Sequence, residues 1–298
     1  MKNGVIICYI CIILTLTTMK KTYLLLAVVS LAVALPLLGS CSKADKTLKV
    51  ISYNIRMGTA NDGANSWDLR KEASTAMIEE QQPDIFGLQE AFDFQRKYLE
   101  ETCPQYAAIG VGRDDGVLEG EQMSIFYNKE KFNLKEWGTY WLSETPDEVS
   151  FGWDAACRRT ATWCLLESKD GRRHFYYVNT HLDHVGADAR RNGLALIVER
   201  IGAMNKEGWP MVLTGDFNVM PDDPCLQSLE GKMLSARITA ETTDDKGSYN
   251  AWGNASNPID YIYYSGFKKA ISFETLDRQY AGKPFISDHY PVVAVLKF

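Results

Sequence analysis

The stretch Met211-Val212-Leu213-Thr214-Gly215-Asp216-Phe217-Asn218 carries an apolar run into a glycine and two polar side chains. The apolar run is typical of a buried strand that ends near the glycine. Residues two positions apart on an extended chain project to the same side, so Asp216 and Asn218 are expected to address one ion or one phosphate group. A carboxylate beside an amide oxygen suits a hard cation such as Mg²⁺. The same residues are also typical of a turn that ends a strand, so the stretch alone leaves both interpretations open.

Other polar side chains stand at or near the ends of predicted strands along the chain. Residues 47–54 form an apolar strand pattern that ends at Asn54, and residues 84–90 form another that ends at Glu90. Strand ends at one edge of a packed sheet converge, so we expect these side chains to meet in one cleft. The full set is Asn54, Glu90, His181, His184, Asp216, Asn218, Asp260, Asp288 and His289.

Helical and strand patterns alternate along the chain, and no repeat or internal domain boundary interrupts them. Helices are predicted at residues 67–81, 92–102 and 188–205, with strands between and after them. Asp170-Gly171 stands between two strand patterns and predicts a type I′ hairpin. A strand at residues 121–127 is predicted to begin with Glu121, and residues 144–153 to form a long loop. These patterns indicate one mixed α/β domain over residues 47–298.

Six short motifs in fixed order resemble those of the endonuclease/exonuclease/phosphatase family. That family includes deoxyribonuclease I, abasic-site endonucleases, neutral sphingomyelinases, inositol polyphosphate 5-phosphatases and deadenylases. The resemblance covers residues 48–296 and implies an α/β (α+β) four-layer sandwich of two packed mixed β-sheets flanked by helices. The motifs are Tyr53-Asn54-Ile55-Arg56, Leu88-Gln89-Glu90, Asn179-Thr180-His181-Leu182, Gly215-Asp216-Phe217-Asn218, Ile259-Asp260-Tyr261-Ile262 and Ser287-Asp288-His289-Tyr290-Pro291-Val292.

The resemblance implies a metal site and a histidine that acts at the scissile phosphate. Glu90 matches the principal ligand of Mg²⁺ (or Mn²⁺), supported by Asn54 and Asp288. His289 matches the histidine at the phosphate, oriented by Asp260. In-line attack on a phosphoester needs a positioned water, neutralised phosphoryl oxygens and a stabilised leaving oxygen, which these residue types supply.

The resemblance assigns further roles around this centre. Asp216 and Asn218 match the pair that orients the attacking water and the phosphate, with a second divalent ion as an open alternative. His181 matches a second phosphate-facing histidine, and Glu121 stands where deoxyribonuclease I has that histidine's acid partner. Four further residues are candidates for substrate binding, although Arg159 has the alternative of pairing with an acid and Trp141 that of packing on the sheet. They are Arg159, Asp183, His184 and Trp141.

The first forty residues read as a secretion signal rather than as part of the domain. Lys20-Lys21 precedes an apolar stretch at 23–36, and Leu38-Gly39-Ser40-Cys41 resembles a bacterial lipobox, with translation starting at Met19 as an alternative to Met1. We therefore expect a signal peptide at 1–40, lipidation of Cys41, a tether at 41–46 and a location at the cell envelope. An ordinary signal peptide or an uncleaved anchor is the alternative interpretation.

The charge balance limits the substrates that we expect. The chain has a formal charge of −6, and removing residues 1–40 takes away three lysines and no acids, which leaves −9. An acidic chain has no broad phosphate-binding face, so nothing indicates strong sequence-specific DNA binding, although a local basic cleft with a metal still allows a nucleic-acid substrate. We expect a phosphoester substrate: a lipid head group, an inositol phosphate or a nucleic acid. The alternatives are a secreted deoxyribonuclease I-like nuclease and a surface binding module that kept the fold without the activity.

The remaining features indicate a monomer with no protein partner and with the membrane reached only through the lipid. The cysteines beyond position 41 lack the C-x-x-C spacing of a zinc site, and we expect buried thiols, although an exported location also permits disulfides. These cysteines are Cys103, Cys157, Cys164 and Cys225.

Overall fold

The computed structural model describes residues 47–298. The predicted signal peptide, the tether and the lipidation site Cys41 lie outside the described residues, and they stay predictions. Within 47–298, no helix combines the length and the apolar character that crossing a membrane requires. The four cysteines of this part of the chain are unpaired, and all except Cys157 are buried.

Twelve strands and four α-helices make up the described chain. The helices are α1 (Trp67–Gln81), α2 (Asp93–Thr102), α3 (Ala187–Met204) and the short α4 (Ala236–Thr239), with 3₁₀ turns at Gly63–Asn65, Pro224–Leu229 and Ala251–Gly253. The strands are β1 (Thr47–Asn54), β2 (Ile85–Gln89), β3 (Tyr106–Ile109), β4 (Ile125–Asn128), β5 (Phe132–Trp141), β6 (Thr160–Ser168), β7 (His174–His181), β8 (Met211–Asp216), β9 (Leu234–Ser235), β10 (Asp260–Ser265), β11 (Lys269–Thr275) and β12 (Val292–Lys297).

The strands form two six-stranded sheets, which confirms the predicted fold class. The first has the order β11-β12-β1-β2-β4-β3 and the second β5-β6-β7-β8-β10-β9. Both are mixed, because β1 pairs with β2 in parallel and β7 pairs with β8 in parallel, while their other pairings are antiparallel.

Three apolar clusters separate four layers. A central core joins the inner faces of the two sheets, with Val50 of β1 packed in the same cluster as Val212 of β8. A second cluster places Leu194 of α3 on the outer face of the second sheet. A third places Met77 of α1 on the outer face of the first sheet. The helices therefore lie outside the two packed sheets.

A buried polar contact crosses the apolar core between the sheets near the site. Gln89 of β2 donates from Nε2 to Asn179 Oδ1 of β7 at 2.6 Å, and Asn179 Nδ2 donates to the carbonyl of Leu88 at 2.7 Å. A Cβ atom at Gly87 would lie 2.4 Å from Asn179 Oδ1, so glycine allows this close approach. Gln89 and Asn179 belong to two of the six motifs, and here they join the sheets directly beside Glu90 and His181.

The structure corrects three details of the predicted elements. Glu121 does not begin a strand, because β4 starts only at Ile125. The hairpin at Asp170-Gly171 is present between β6 and β7, but its predicted type I′ turn is wrong, since a positive φ (70°) occurs at Gly171 and not at Asp170. The sequence patterns do not indicate β11, whose pairing with β12 shifts between Ala270 and Ser272 and so breaks the alternation of buried and exposed residues.

Candidate active site

Three site residues stand in one row across adjacent strands of the second sheet. In the strand register, His181 of β7 lies opposite Asp216 of β8, and Asp216 lies opposite Asp260 of β10. All three are at least 95 % buried. Gly215 lets β8 approach β7 here, because a Cβ atom would lie 2.4 Å from the carbonyl oxygen of Thr180. The register thus brings together residues separated by up to 79 positions in the chain.

The edge of the first sheet meets this row through Asn54. Asn54 ends β1 beside Gln89, and Glu90 directly follows β2. The amide nitrogen of Asn54 donates to Glu90 Oε1 at 3.0 Å and to Asp216 Oδ2 at 3.0 Å. Because Asn54 and Asp216 belong to different sheets, this buried amide links the two halves of the site.

A loop before β12 adds Asp288 and His289. Ser287 Oγ donates to the carbonyl of Asn54 at 2.7 Å, which holds the loop against the end of β1. His289 Nδ1 lies 2.7 Å from Asp260 Oδ2, and its Nε2 lies 3.7 Å from Asp216 Oδ2. Burial lowers the pKa of His289, but the negative charges of Asp260 and Asp216 outweigh it and raise the pKa to about 10. The two carboxylates therefore favour the protonated form of His289.

Asp216 and Asn218 form the turn that the opening stretch allowed, while a shared ion or phosphate stays a prediction. The backbone N–H of Asn218 donates to Asp216 Oδ1 at 2.9 Å, as expected for a turn that ends a strand. Both side chains nevertheless line the same cleft. The expected extended geometry at Asn218 is wrong, since its φ is 55°. Burial, followed by the charge of Asp260, raises the pKa of Asp216 to about 7.

His181 sits between Asn218 and Glu121. Asn218 Nδ2 lies 2.9 Å from His181 Nε2, whereas His181 Nδ1 is buried without a hydrogen bond and lies 3.9 Å from Glu121 Oε2. Glu121 instead pairs with Arg113 at 2.6 Å. Burial and the nearby guanidinium groups of Arg159 and Arg113 hold the pKa of His181 well below its usual range, so the ring is neutral.

The carboxylates of Glu90 and Asp288 fit a divalent cation. Glu90 Oε2 accepts from the backbone N–H of Met57 at 2.9 Å, which fixes the carboxylate. A single guanidinium, Arg56, reaches both acids, at 3.9 Å from Glu90 and 3.6 Å from Asp288. Burial and the charge of Glu90 raise the pKa of Asp288, as expected where acids converge with too little positive charge. The oxygen donors are those that Mg²⁺ or Mn²⁺ prefers.

A second group of potential ligands also contacts the amide nitrogen of Asn54, through Asp216 and His289. Potential ligand atoms of Asp216, Asp260 and His289 lie within 4.8 Å of one another. The short contact between His289 Nδ1 and Asp260 Oδ2 already occupies an atom of each residue. Asp260 and His289 are therefore a hydrogen-bonded pair, whereas the carboxylates of Glu90 and Asp288 line the open cleft.

The four predicted substrate-binding residues occupy different places. Arg159 and His184 line the cleft, while Asp183 is buried behind them and accepts from Arg159 Nε at 3.3 Å. The alternative that Arg159 pairs with an acid is therefore present. Trp141 does not reach the cleft: its indole N–H donates to the carbonyl of Arg113 at 2.8 Å and its ring packs beside Gly116. The structure thus favours the packing role for Trp141.

The cleft has a volume of about 580 Å³ and is lined by several residues that the sequence did not single out. Arg56 belongs to the first motif, so its place beside the strand end was a usable signal. Arg113 lies in a glycine- and acid-rich loop whose path no pattern predicts. The unpredicted lining residues include Arg56, Met57, Arg113, Met220, Tyr249 and Asn257.

The chain is similar to known proteins over nearly all of its described length. Residues 51–289 match the Endonuclease/Exonuclease/phosphatase family. The structure of a family member from Bacteroides vulgatus is 34% identical with a TM-score of 0.80, covering 85% of this chain and 99% of that one. A mannosyl-6-phosphatase from Bacteroides thetaiotaomicron is also 34% identical with a TM-score of 0.80, covering 84% and 100%. An uncharacterized protein of Acanthamoeba polyphaga mimivirus is 25% identical over 272 residues, covering 84% and 100%.

Enzymes of this family are phosphoester hydrolases and generally depend on a divalent metal. The cleft collects residue types that this chemistry uses, because acids, amides and three imidazoles line it. The match covers well over half of the chain. The chain therefore belongs to the Endonuclease/Exonuclease/phosphatase family of phosphoester hydrolases.

Proposed function

We propose that this protein hydrolyses phosphoester bonds of small phosphorylated molecules with Mg²⁺ or Mn²⁺, by in-line attack of water assisted by the Asp260–His289 pair. One observation carries the proposal. Asn54 Nδ2 donates to Glu90 and to Asp216 at 3.0 Å each, and so holds these two carboxylates together at the cleft that both line. A phosphoryl group bound in this cleft would meet Glu90, Asp288 and the ring of His289, which also line it.

The site residues have separate roles in the proposed reaction. A divalent ion held by Glu90 and Asp288 would polarise the phosphoryl oxygens and neutralise their charge. Asp216 has a raised pKa of about 7, which suits it to accept a proton from the attacking water. His289 carries a proton that Asp260 stabilises, so it contributes positive charge and a donor beside the reacting oxygens.

The charge and the size of the cleft favour a small substrate over a polynucleotide. The chain has a formal charge of −6, and its cleft of about 580 Å³ is in the range of small-molecule sites. A similar structure at 34% identity is a mannosyl-6-phosphatase, which supports a phosphomonoester of a small molecule. A nuclease is the competing outcome of the following experiment.

The test is hydrolysis of a panel of phosphoesters by the purified protein with Mg²⁺. The panel contains an aryl phosphomonoester, an aryl phosphodiester, sugar phosphates, inositol phosphates, a sphingomyelin-like lipid, DNA and RNA. We expect turnover of small phosphoesters, and a loss of roughly 10²–10⁴-fold in kcat for His289→Asn and for Asp260→Asn, because each removes one partner of the proton-bearing pair.

Matched controls separate this loss from a general effect of substitution. His174 is at the opposite end of β7 from His181, and Asp277 is on the surface. The variants His174→Gln and Asp277→Asn should therefore keep wild-type activity. Full activity in folded His289→Asn would refute the assignment, and hydrolysis of DNA alone would favour the nuclease.

We further propose that the protein is a lipoprotein of the cell envelope. The basic, apolar and small-residue order of 19–41 supports this location, which the described residues do not address. In a bacterial host, Cys41→Ser should abolish incorporation of labelled palmitate. Undiminished labelling of that variant would contradict the proposal.

A further inference from the structure

A second polar cluster lies beside the row formed by His181, Asp216 and Asp260, and includes residues of the segment that follows His181. Potential ligand atoms of Cys157, Asp183 and His184 lie within 4.8 Å of one another, which by distance alone resembles a cation site. Arg159 stands within the same cluster and is 95 % buried. The hydrogen bonds decide which kind of ligand this cluster suits.

The lone pairs of Asp183 are already used by protein donors. Its Oδ1 accepts the backbone N–H groups of Val185 at 2.9 Å and Gly186 at 2.7 Å. Its Oδ2 accepts the backbone N–H of Ala156 at 3.1 Å and Arg159 Nε at 3.3 Å. With the carboxylate saturated and a guanidinium beside it, the cluster has neither free oxygen ligands nor the negative charge that a cation requires.

Arg159 also fixes the state of His184. Arg159 Nη2 lies 3.0 Å from His184 Nδ1, and a guanidinium can only donate, so Nδ1 carries the lone pair. The proton of neutral His184 is then on Nε2, on an exposed side chain that lines the cleft. Within residues 47–298, Arg159 Nη1 has no hydrogen-bond acceptor. Arg159 and His184 therefore present hydrogen-bond donors to the cleft and no acceptor, while the carboxylate of Asp183 pairs with the guanidinium from behind.

We propose that Arg159 and His184 form a subsite for a second anionic group of the substrate, a phosphate or a carboxylate, distinct from the phosphoryl group that is cleaved. A donor-only surface with a guanidinium is complementary to an oxyanion. His184 follows His181 by three residues, which places their Cα atoms within roughly 11 Å. A second anion at this separation is within reach of the cleaved group in one small molecule. This inference rests on the proposed function, because it assigns the substrate class of the same cleft.

The test compares two sugars that differ by one phosphate. Binding of fructose 6-phosphate and fructose 1,6-bisphosphate is measured by calorimetry with Mg²⁺, in a His289→Asn background that suppresses turnover. We expect the bisphosphate to bind at least tenfold more tightly. This difference should fall below threefold when Arg159→Gln or His184→Leu is added, because the first removes the guanidinium and the second removes the imidazole N–H that would contact the second phosphate. A carboxylate at the second position is examined in parallel with glucuronic acid 1-phosphate against glucose 1-phosphate.

Matched variants and a separate readout make the outcome decisive. Arg172→Gln in the exposed hairpin turn and His174→Gln serve as controls and should keep the tenfold difference. His184 is exposed, so His184→Leu keeps the test valid if Arg159→Gln fails to fold. Equal affinities for both members of each pair, no binding of any of the four sugars, or a difference retained in both variants would overturn the subsite. The proposed function fails separately, if the wild type hydrolyses nothing in the phosphoester panel.

Discussion

At the scale of single residues, three side chains of the site sit on strained backbone. Arg56, Glu90 and Asn218 have φ values of 59°, 60° and 55°, in the left-handed region that non-glycine residues seldom adopt. Each such residue costs on the order of 1–3 kcal/mol, so the surroundings must hold it in place. Glu90 shows how, since Asn54 and the backbone of Met57 each bond one of its carboxylate oxygens. The strain points the carboxylate into the cleft directly after β2.

Asp183 serves the site through structure rather than by touching the substrate. Burial raises the pKa of this carboxyl, but backbone N–H groups of Gly186, Val185 and Ala156, together with Arg159, outweigh it and hold the pKa well below its usual range. A carboxyl with a lowered folded-state pKa stabilises the fold above its unfolded pKa, near 3.9, and this contribution disappears as the pH falls.

We predict that Asp183→Asn lowers the free energy of unfolding by roughly 1–3 kcal/mol at pH 7, because the amide cannot accept from all the donors that the carboxylate serves. The difference from wild type should shrink as the pH falls below about 4. Urea unfolding of both proteins between pH 7 and pH 3 measures this difference in the free energy of unfolding. The control Asp147→Asn changes an exposed carboxylate and should stay within about 0.5 kcal/mol. A loss that grows toward pH 3 would contradict the assignment.

The roles of single residues were only partly predictable from sequence. Asp183 and Trp141 stand near motifs and have side chains suited to binding, yet one holds a loop and the other packs beside Gly116. Their roles depend on which distant groups surround them, and no local pattern records that. Arg56 and Glu90, by contrast, follow strand ends, so their proximity was predictable even though their left-handed backbone was not.

At the scale of elements, the close approach of β2 to β7 positions the site. Gly87 of β2 lies against Asn179 of β7, and the two motif residues Gln89 and Asn179 bond across the core. Glu90 and His181 follow these contacts by one and two residues. Any shift between the sheets would therefore change the separation between Glu90 and the row formed by His181, Asp216 and Asp260.

We predict that Gly87→Ala destabilises the protein by roughly 1–3 kcal/mol, because the added methyl group would overlap Asn179. The matched control is Gly202→Ala in α3, where a Cβ atom meets nothing within 4 Å. There we expect a gain of about 0.5–1 kcal/mol from the better helix propensity of alanine. Thermal and urea unfolding should therefore show a lower free energy of unfolding for Gly87→Ala and a higher one for Gly202→Ala. Equal behaviour of the two alanine variants would show that the sheets are not closely apposed at Gly87.

The elements that sequence predicted best are those with a regular period. Helix α1 spans the predicted residues 67–81, and β1 spans the predicted 47–54. Glu121 was placed wrongly because residues 110–124 have no period to follow, and their path depends on contacts such as the Arg113–Glu121 pair. The sequence therefore predicted which strand ends meet, but not the loops that complete the cleft.

At the scale of the whole molecule, packing two sheets face to face gathers the site. Asn54 and Glu90 come from the first sheet, Asp216 and Asp260 from the second, and His289 from the loop that returns to the first. Neither sheet alone carries a complete site. The order of the six motifs along the chain resembles that of a family whose fold packs two sheets together, and this resemblance predicted the assembly. The match over residues 51–289 confirms the family.

The central claim is that Glu90 and Asp288 bind the divalent ion on which hydrolysis depends, and a Mg²⁺ titration of phosphoester hydrolysis tests it most directly. Wild-type activity should disappear with a chelator and return with Mg²⁺. Glu90→Gln should need at least tenfold more Mg²⁺ for half-maximal activity, since it removes a charged ligand, while the exposed control Glu72→Gln should match wild type. Activity that persists in the chelator, or an unchanged Mg²⁺ requirement in folded Glu90→Gln, would contradict the account.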